Sequence, residues 1–351
     1  MRNDAMIRRR LERVREKYRL ARRDPSRCIP LMQIEPDGKR ASNREQYDDA
    51  AAMLEPVVEI FRRHLETVDD DFLPYVRVEF GTVQVASAFG VPVRVLEETP
   101  PAAGAPVLAT AGAVRELAVP SPEDAGIFPR VWEFRDYLER NRPSWLAVQH
   151  PDIQSPFNTA HLIRGDGIFT DFYDSPDDAR ELLRKVTDFM ILLARKMASR
   201  LRETPGWFVD WGGLWEGAFR ICNCSMQMIS PEFYRSFVLP EDRRFFEAVG
   251  GGRLHYCGRS AAVLREFFAI PGLSCIDFDS RYCDPWRAAR EAPENMPLWI
   301  WVDLDSKDPI DKEVMRRLLS EERIPKRNMV YRIKGADLAE RQAVARRLQS
   351  V

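Results

Sequence analysis

Two hydrophobic rhythms alternate along this chain. Short apolar, β-prone runs are followed by longer stretches whose apolar positions recur every three or four residues. The first kind reads as eight strands: Cys28–Ile34, Pro74–Phe80, Trp145–His150, Trp207–Asp210, the run holding His255, Cys275–Asp279, Leu298–Asp303 and Met329–Ile333. The second kind reads as helices between them. Asn43 to about Val68 places Met53, Leu54, Val57, Val58, Phe61 and Leu65 on one face. Pro122 to about Asn141 forms the next helix, and Pro176 to about Arg202 the longest, with Leu182, Leu183, Val186, Phe189, Met190 and Leu193 in one stripe. Ser230 then caps a helix that Pro231 starts and that runs to about Val249. Ser260 is placed to cap a helix from Ala261 to Phe268, and further helices follow near 285–291, 310–321 and 336–349. Residues 81–122, rich in Gly, Pro and Ala, stand outside the alternation. Eight strands each followed by a helix predict an α/β chain folded as a (β/α)8 TIM barrel over residues 28–351, rather than an open doubly wound sheet.

Residues 1–27 form an N-terminal helical extension. Ile7, Leu11, Val14, Tyr18 and Leu20 interleave there with Arg8, Arg9, Arg10, Arg13, Arg15, Lys17, Arg19, Arg22 and Arg23. An amphipathic helix laid on the body fits this better than a transit peptide, because Asp4, Glu12 and Glu16 interrupt the basic run. Over the 351 residues the formal charge is only -1, which argues against nucleic acid as a partner. No apolar run is long enough to span a bilayer and no signal-peptide core is visible, so a cytoplasmic protein without a membrane partner is expected. Six cysteines in such a compartment are expected as free thiols or metal ligands.

The chemistry concentrates in Gly252–Gly258. His255 and Cys257 lie two residues apart in a strand, so their side chains share a face and offer one nitrogen and one sulfur to a borderline-soft metal. Two buried, inert core residues are the plainer alternative. The neighbouring strand could supply Asp279 or Asp277, and Cys283 just beyond is the other candidate ligand. Cys222 and Cys224 have one residue between them, a weaker metal signal than C-x-x-C, and read as structural. In a barrel the working residues stand at the C-terminal ends of the strands. That rule selects Glu79, His150, Asp152, Gln154, Trp211 and Asp303 as substrate contacts. It also places Asp210 as a catalytic carboxylate facing the pocket mouth. No phosphate loop and no G-x-S-x-G elbow is found.

Ile229–Pro240 followed by His255-Tyr256-Cys257-Gly258 resembles the uroporphyrinogen decarboxylase superfamily, which includes corrinoid-dependent methyltransferases. Asp152–Ala160, Gly165 and Tyr173-Asp174-Ser175-Pro176 are similar to the same family's third-strand region, and the resemblance covers roughly residues 70–305. It implies the barrel and a pocket at its C-terminal face. The family's decarboxylases carry an early Gln-Ala-Gly-Arg stretch whose arginine holds porphyrinogen carboxylates. Here Met32-Gln33-Ile34-Glu35-Pro36-Asp37-Gly38 lacks it. The methyltransferase branch uses an H-x-C pair as zinc ligands, matching His255 and Cys257, with a further cysteine near the C-terminus, whereas no cysteine follows Cys283. The resemblance therefore implies a zinc-dependent transfer of a methyl group from a corrinoid donor to a thiol. The zinc ligands would be His255, Cys257 and Asp279 or Cys283, and the partners a small-molecule substrate and a corrinoid protein. A decarboxylase of uroporphyrinogen or a smaller carboxylate and a non-catalytic ligand-binding barrel stay open, as does a homodimer.

Overall fold

Twelve strands are present among the residues described, which in this computed structural model are 2–200, 205–258, 262–320, 324 and 328–350. They are β1 (Leu31–Ile34), β2 (Tyr75–Val76), β3 (Val93–Arg94), β4 (Ala102–Ala103), β5 (Ala147–Val148), β6 (Trp207–Asp210), β7 (Gly213–Glu216), β8 (Phe219–Cys222), β9 (Gly252–Tyr256), β10 (Leu273–Phe278), β11 (Leu298–Asp303) and β12 (Met329–Lys334). Six of them form one parallel sheet in the order β1-β12-β11-β10-β9-β8, and β2 pairs with β5, again in parallel. Backbone hydrogen bonds join the two sets at both ends. Asp71 N, just before β2, donates to Met32 O in β1 at 2.7 Å. Beyond β5, Ser155 N donates to Cys222 O at 2.8 Å and Cys222 N to Ile153 O at 3.1 Å, which ties that segment to β8. The eight parallel strands thus follow one another as β1, β2, β5, β8, β9, β10, β11 and β12.

Helices enter directly after the strand ends because capping residues stop the extended chain there. Ser155 accepts from Asn158 N, Ser230 from Phe233 N, Asp284 from Trp286 N and Asp308 from Ile310 N, each followed by a proline in the first turn. The longest helix, Pro176–Arg200, buries Leu182, Leu183, Val186, Phe189, Met190 and Leu193. The 81–122 excursion holds a short helix, Gln84–Ala88, and the small antiparallel pair β3-β4. Ser260 and Ala261, and the expected helix ends at Arg202 and at 321, lie outside the described residues. No helix among those described is long and apolar enough to cross a membrane.

The fourth strand differs from the sequence expectation. Trp207–Asp210 is not a member of the ring but the first arm of an antiparallel hairpin, β6-β7, and the ring position belongs to Phe219–Cys222. The turn is Trp211-Gly212, with φ +48° and +79°, the two left-handed residues of a tight type I′ hairpin turn. Gly212 is obligatory, since a Cβ there would lie 2.7 Å from the Phe72 ring. Contacts at the tip come from residues in or flanking β2, β5, β11 and β12, and Asp210 beside the turn reaches Arg253 in β9 on the other side of the ring. Gly212 O accepts from Leu73 N, Gln149 Oε1 accepts from Trp211 N, and Trp211 O accepts from Arg332 Nη1 in β12. Trp211 also packs edge-on against Trp301 in β11. The hairpin therefore occupies the axis of the ring, with its turn toward the functional face.

The N-terminal helix, Arg2–Arg23, buries Ile7, Leu11, Val14, Tyr18 and Ala21. Tyr18 Oη accepts from Gln33 Nε2 at 2.8 Å and its ring meets Trp215 at 5.9 Å. Its basic residues serve as anchors: Lys17 binds Asp71 at 2.6 Å, Arg10 binds Asp70 at 3.3 Å and Arg22 binds Glu216 at 2.6 Å. Asp70 and Asp71 precede β2, so the helix covers the N-terminal end of the strands and leaves the opposite end open.

Candidate metal centre

β9 carries His255 to the C-terminal end of the ring, Cys257 follows one residue beyond the strand, and Cys224 follows β8 next door. Parallel pairing sets Cys222 beside His255, so the chain leaving β8 brings Cys224 to the same end. Ligand atoms of Cys224, His255 and Cys257 all lie within 4.8 Å of one another, and the two sulfurs are 2.9 Å apart. Among the described residues this is the single group of three with metal-binding geometry. Asp279 and Cys283, expected as ligands, are not in it. Asp279 is turned to Arg281, whose Nε lies 2.9 and 3.0 Å from its two oxygens. Cys283 is buried in the apolar core. The three residues that could hold a metal together are thus Cys224, His255 and Cys257. The C-x-C spacing alone reads Cys224 as structural, yet the residues it joins lie on or just beyond another strand, where spacing carries no information.

The charges of the three groups are set by their neighbours. Burial alone would lower the His255 imidazole, but the Asp277 carboxylate, 2.5 Å from Nδ1, pushes it up to about 9. The hydrogen bond with Cys224, and then that with His255, pull the Cys257 thiol down to about 5, while the same contact raises Cys224. One thiolate beside an imidazolium is a charge arrangement a divalent cation would replace. Asp277 is held well below the usual carboxylate range, because Arg253 and His255 outweigh its burial.

Two sulfurs and one nitrogen with a direction left open is the composition of a catalytic rather than a structural zinc site. The donors fit the ion with a small adjustment. Zinc–sulfur bonds of about 2.3 Å in a tetrahedron need sulfurs about 3.8 Å apart, so Cys224 and Cys257 would have to part by roughly 0.9 Å.

Cavities open on both sides of His255. One of about 380 Å³ is lined by Cys224, His255, Asp152, Gln154, Trp211 and Trp299, and one of about 300 Å³ by His255, Cys257, Asp279, Trp301, Asp303 and Lys334. Asp152 is fixed by Arg220 at 2.7 Å, and Gln154 accepts from Asn158 Nδ2 at 2.7 Å. Asp303 pairs with Lys334 at 3.0 Å. Glu79 lines an adjoining cavity and is clasped by Arg77 at 2.6 Å. Two expectations fail here. His150 is buried behind the pocket wall, its ring stacked on Phe219 at 4.4 Å, and burial lowers its basicity. Asp210 does not face the pocket mouth: it is fully buried in the hairpin, 2.7 Å from Arg253 Nη1 and 3.7 Å from Arg220 Nε. The misplacement of Asp210 follows from the hairpin, which pulls the expected fourth strand into the axis.

Behind Cys224, Asn223 donates to the buried Asp242 at 2.7 Å, and Tyr234 Oη donates to the same oxygen at 3.3 Å. Burial pushes the Asp242 carboxyl up to about 8. A group whose folded pKa lies above its unfolded value of 3.8 contributes stability below that value and loses it as pH rises. Wild-type thermal stability is therefore expected to fall relative to Asp242→Asn between about pH 4 and 8, with a constant gap above. A gap that does not change with pH in melts of the two proteins would refute this.

Comparisons with known proteins bear on the family and the fold. Uroporphyrinogen decarboxylase of Syntrophotalea carbinolica is 28% identical over 156 residues, 42% of this chain and 40% of that protein. Methylated-thiol–coenzyme M methyltransferase of Methanosarcina mazei is 26% identical over 164 residues, 45% of this chain and 40% of that protein. The chain thus spans about two fifths of the length of these relatives. A solved methyltransferase from Methanosarcina mazei shares the fold, with a TM-score of 0.70 at 15% identity over 96% of this chain and 98% of that one. The profile of the family described as uroporphyrinogen decarboxylase (URO-D) matches residues 73–299, well over half the chain. The chain belongs to the URO-D family of decarboxylases and methyltransferases, for which the ring of eight parallel strands is the expected (β/α)8 barrel.

Proposed function

We propose that this chain is a methyltransferase-type member of its family, with zinc at Cys224, His255 and Cys257, a small thiol as acceptor and a methyl-corrinoid on a partner protein as donor. The observation that carries this reading is the convergence of two thiols and the His255 nitrogen left free by Asp277 on one point beside an open cavity. Zinc there would supply a position at which a bound thiol is deprotonated and kept as the nucleophilic thiolate. The chain's own residues do the rest. Asp277 holds the His255 Nδ1 proton. Trp211, Trp299 and Trp301 wall the cavity with apolar surface that excludes water, and Asp152 and Gln154 offer polar contacts already fixed by Arg220 and Asn158.

Purified protein is expected to carry close to one zinc per chain, and His255→Ala to lose it. Elemental analysis decides this: protein that neither retains nor takes up zinc would end the reading. Decarboxylation of uroporphyrinogen is expected to be weak or absent. The cation standing beside β1 is Arg332, and it is already engaged by Glu35 at 2.5 Å and laid over the Phe72 ring at 4.3 Å. An arginine so occupied makes a poor clamp for a further carboxylate. Ready formation of coproporphyrinogen would favour the decarboxylase instead.

A further inference from the structure

The metal centre stands on a line of buried charges that runs down the barrel axis. β9 and β10 are in parallel register with Asp277 beside His255 and Cys275 beside Arg253. Alternation along β9 puts Arg253 on the same face as His255, one layer deeper. One oxygen of Asp277 meets His255 Nδ1 at 2.5 Å, and the other accepts from Arg253 Nη2. Arg253 Nη1 in turn reaches Asp210 Oδ2 of the axial hairpin at 2.7 Å. The guanidinium lies against the rings of Trp215 and Trp299, 4.8 and 5.1 Å away. Asp210, Arg253 and Asp277 are at most 1% exposed.

We infer that Asp277, braced by Arg253 and through it by Asp210, is the positioning residue of the metal centre: it fixes the His255 ring so that Nδ1 points inward and Nε2 is the atom offered beside Cys224 and Cys257. This rests on the zinc reading above. A carboxylate accepts and does not donate, so Nδ1 must carry a proton and the lone pair is left on Nε2. Both oxygens are occupied from different directions, which stops the carboxylate from rotating and the ring from swinging with it. The hairpin, an addition to the ring of strands, thereby has a role at the functional face although its own carboxylate never reaches it.

The test is a double-mutant cycle on the full chain, with zinc affinity measured by competition against a chromogenic chelator and folding checked by circular dichroism. Asp277→Asn is expected to weaken zinc binding by about ten- to a hundredfold, the usual effect of losing a partner behind a metal-binding histidine. In a His255→Ala background, where the remaining affinity is already low, the same substitution is expected to change nothing further, because its effect passes through the ring. Equal losses in both backgrounds would overturn the inference, and so would unchanged zinc affinity in Asp277→Asn. If wild-type protein takes up no zinc, the zinc reading itself falls and this inference with it. Should Asp277→Asn fail to fold, Asp277→Glu keeps the charge beside Arg253 but displaces the carboxylate by one methylene, and the same comparison in the two backgrounds decides.

Discussion

Cys224→Ser is expected to weaken zinc binding by roughly a hundred- to a thousandfold, while Asp279→Asn and Cys283→Ser leave it within a few-fold of wild type. Structural zinc sites bind with about 10–16 kcal/mol shared over four ligands, so each ligand accounts for about 3–4 kcal/mol, and every 1.4 kcal/mol is a factor of ten. The contrast between the three variants follows from position. Cys224 lies within 4.8 Å of both other ligand atoms, Asp279 is occupied by Arg281, and Cys283 is sealed in the core. Titrating zinc into each purified variant separates the two assignments. Retention of tight binding in Cys224→Ser, with loss in Asp279→Asn, would restore the set read from His255 and its neighbouring strand alone.

The difference between those two assignments shows where reading the chain residue by residue succeeds and where it stops. His255 and Cys257 were legible because both lie in one segment and strand alternation alone puts them on one face. Cys224 is 33 residues away on another element, and only the pairing of Cys222 with His255 brings it in. The strand alternation that announces a barrel was legible for the same local reason, as were the caps at Ser230 and Pro231. Trp207–Asp210 misled because all-apolar runs look alike whether they enter a parallel sheet or an axial hairpin. The distinguishing signal was present: Trp211-Gly212 is a two-residue turn between Trp207–Asp210 and the apolar Leu214 and Trp215, and antiparallel arms need nothing longer. Taking that hairpin as a unit would have freed Phe219–Cys222 to be the fourth ring strand. It would also have moved Asp210 inward, away from the rim where ligands are sought.

That relocation changes what Asp210→Asn should do. A carboxylate at the rim could be made neutral with little effect on folding, but this one stands between Arg253 and Arg220 with no exposure to water. Removing one partner of a buried ion pair typically costs about 3–5 kcal/mol, because the remaining charge stays in a medium that solvates it poorly. At about 2–4 °C per kcal/mol for chains of this order, the thermal midpoint of Asp210→Asn is expected to fall by roughly 6–20 °C. Arg253→Met is expected to fall comparably, since it strands both Asp210 and Asp277. The two changes together should cost clearly less than their sum: each removes the charge the other would have left unpaired, and buried pairs replaced by apolar groups are often near neutral. Thermal melts of the two single variants and the double variant give the coupling directly. A midpoint for Asp210→Asn within a degree or two of wild type would mean that the Asp210 carboxylate is solvated rather than enclosed, which would return it to the pocket as a group able to act on a substrate.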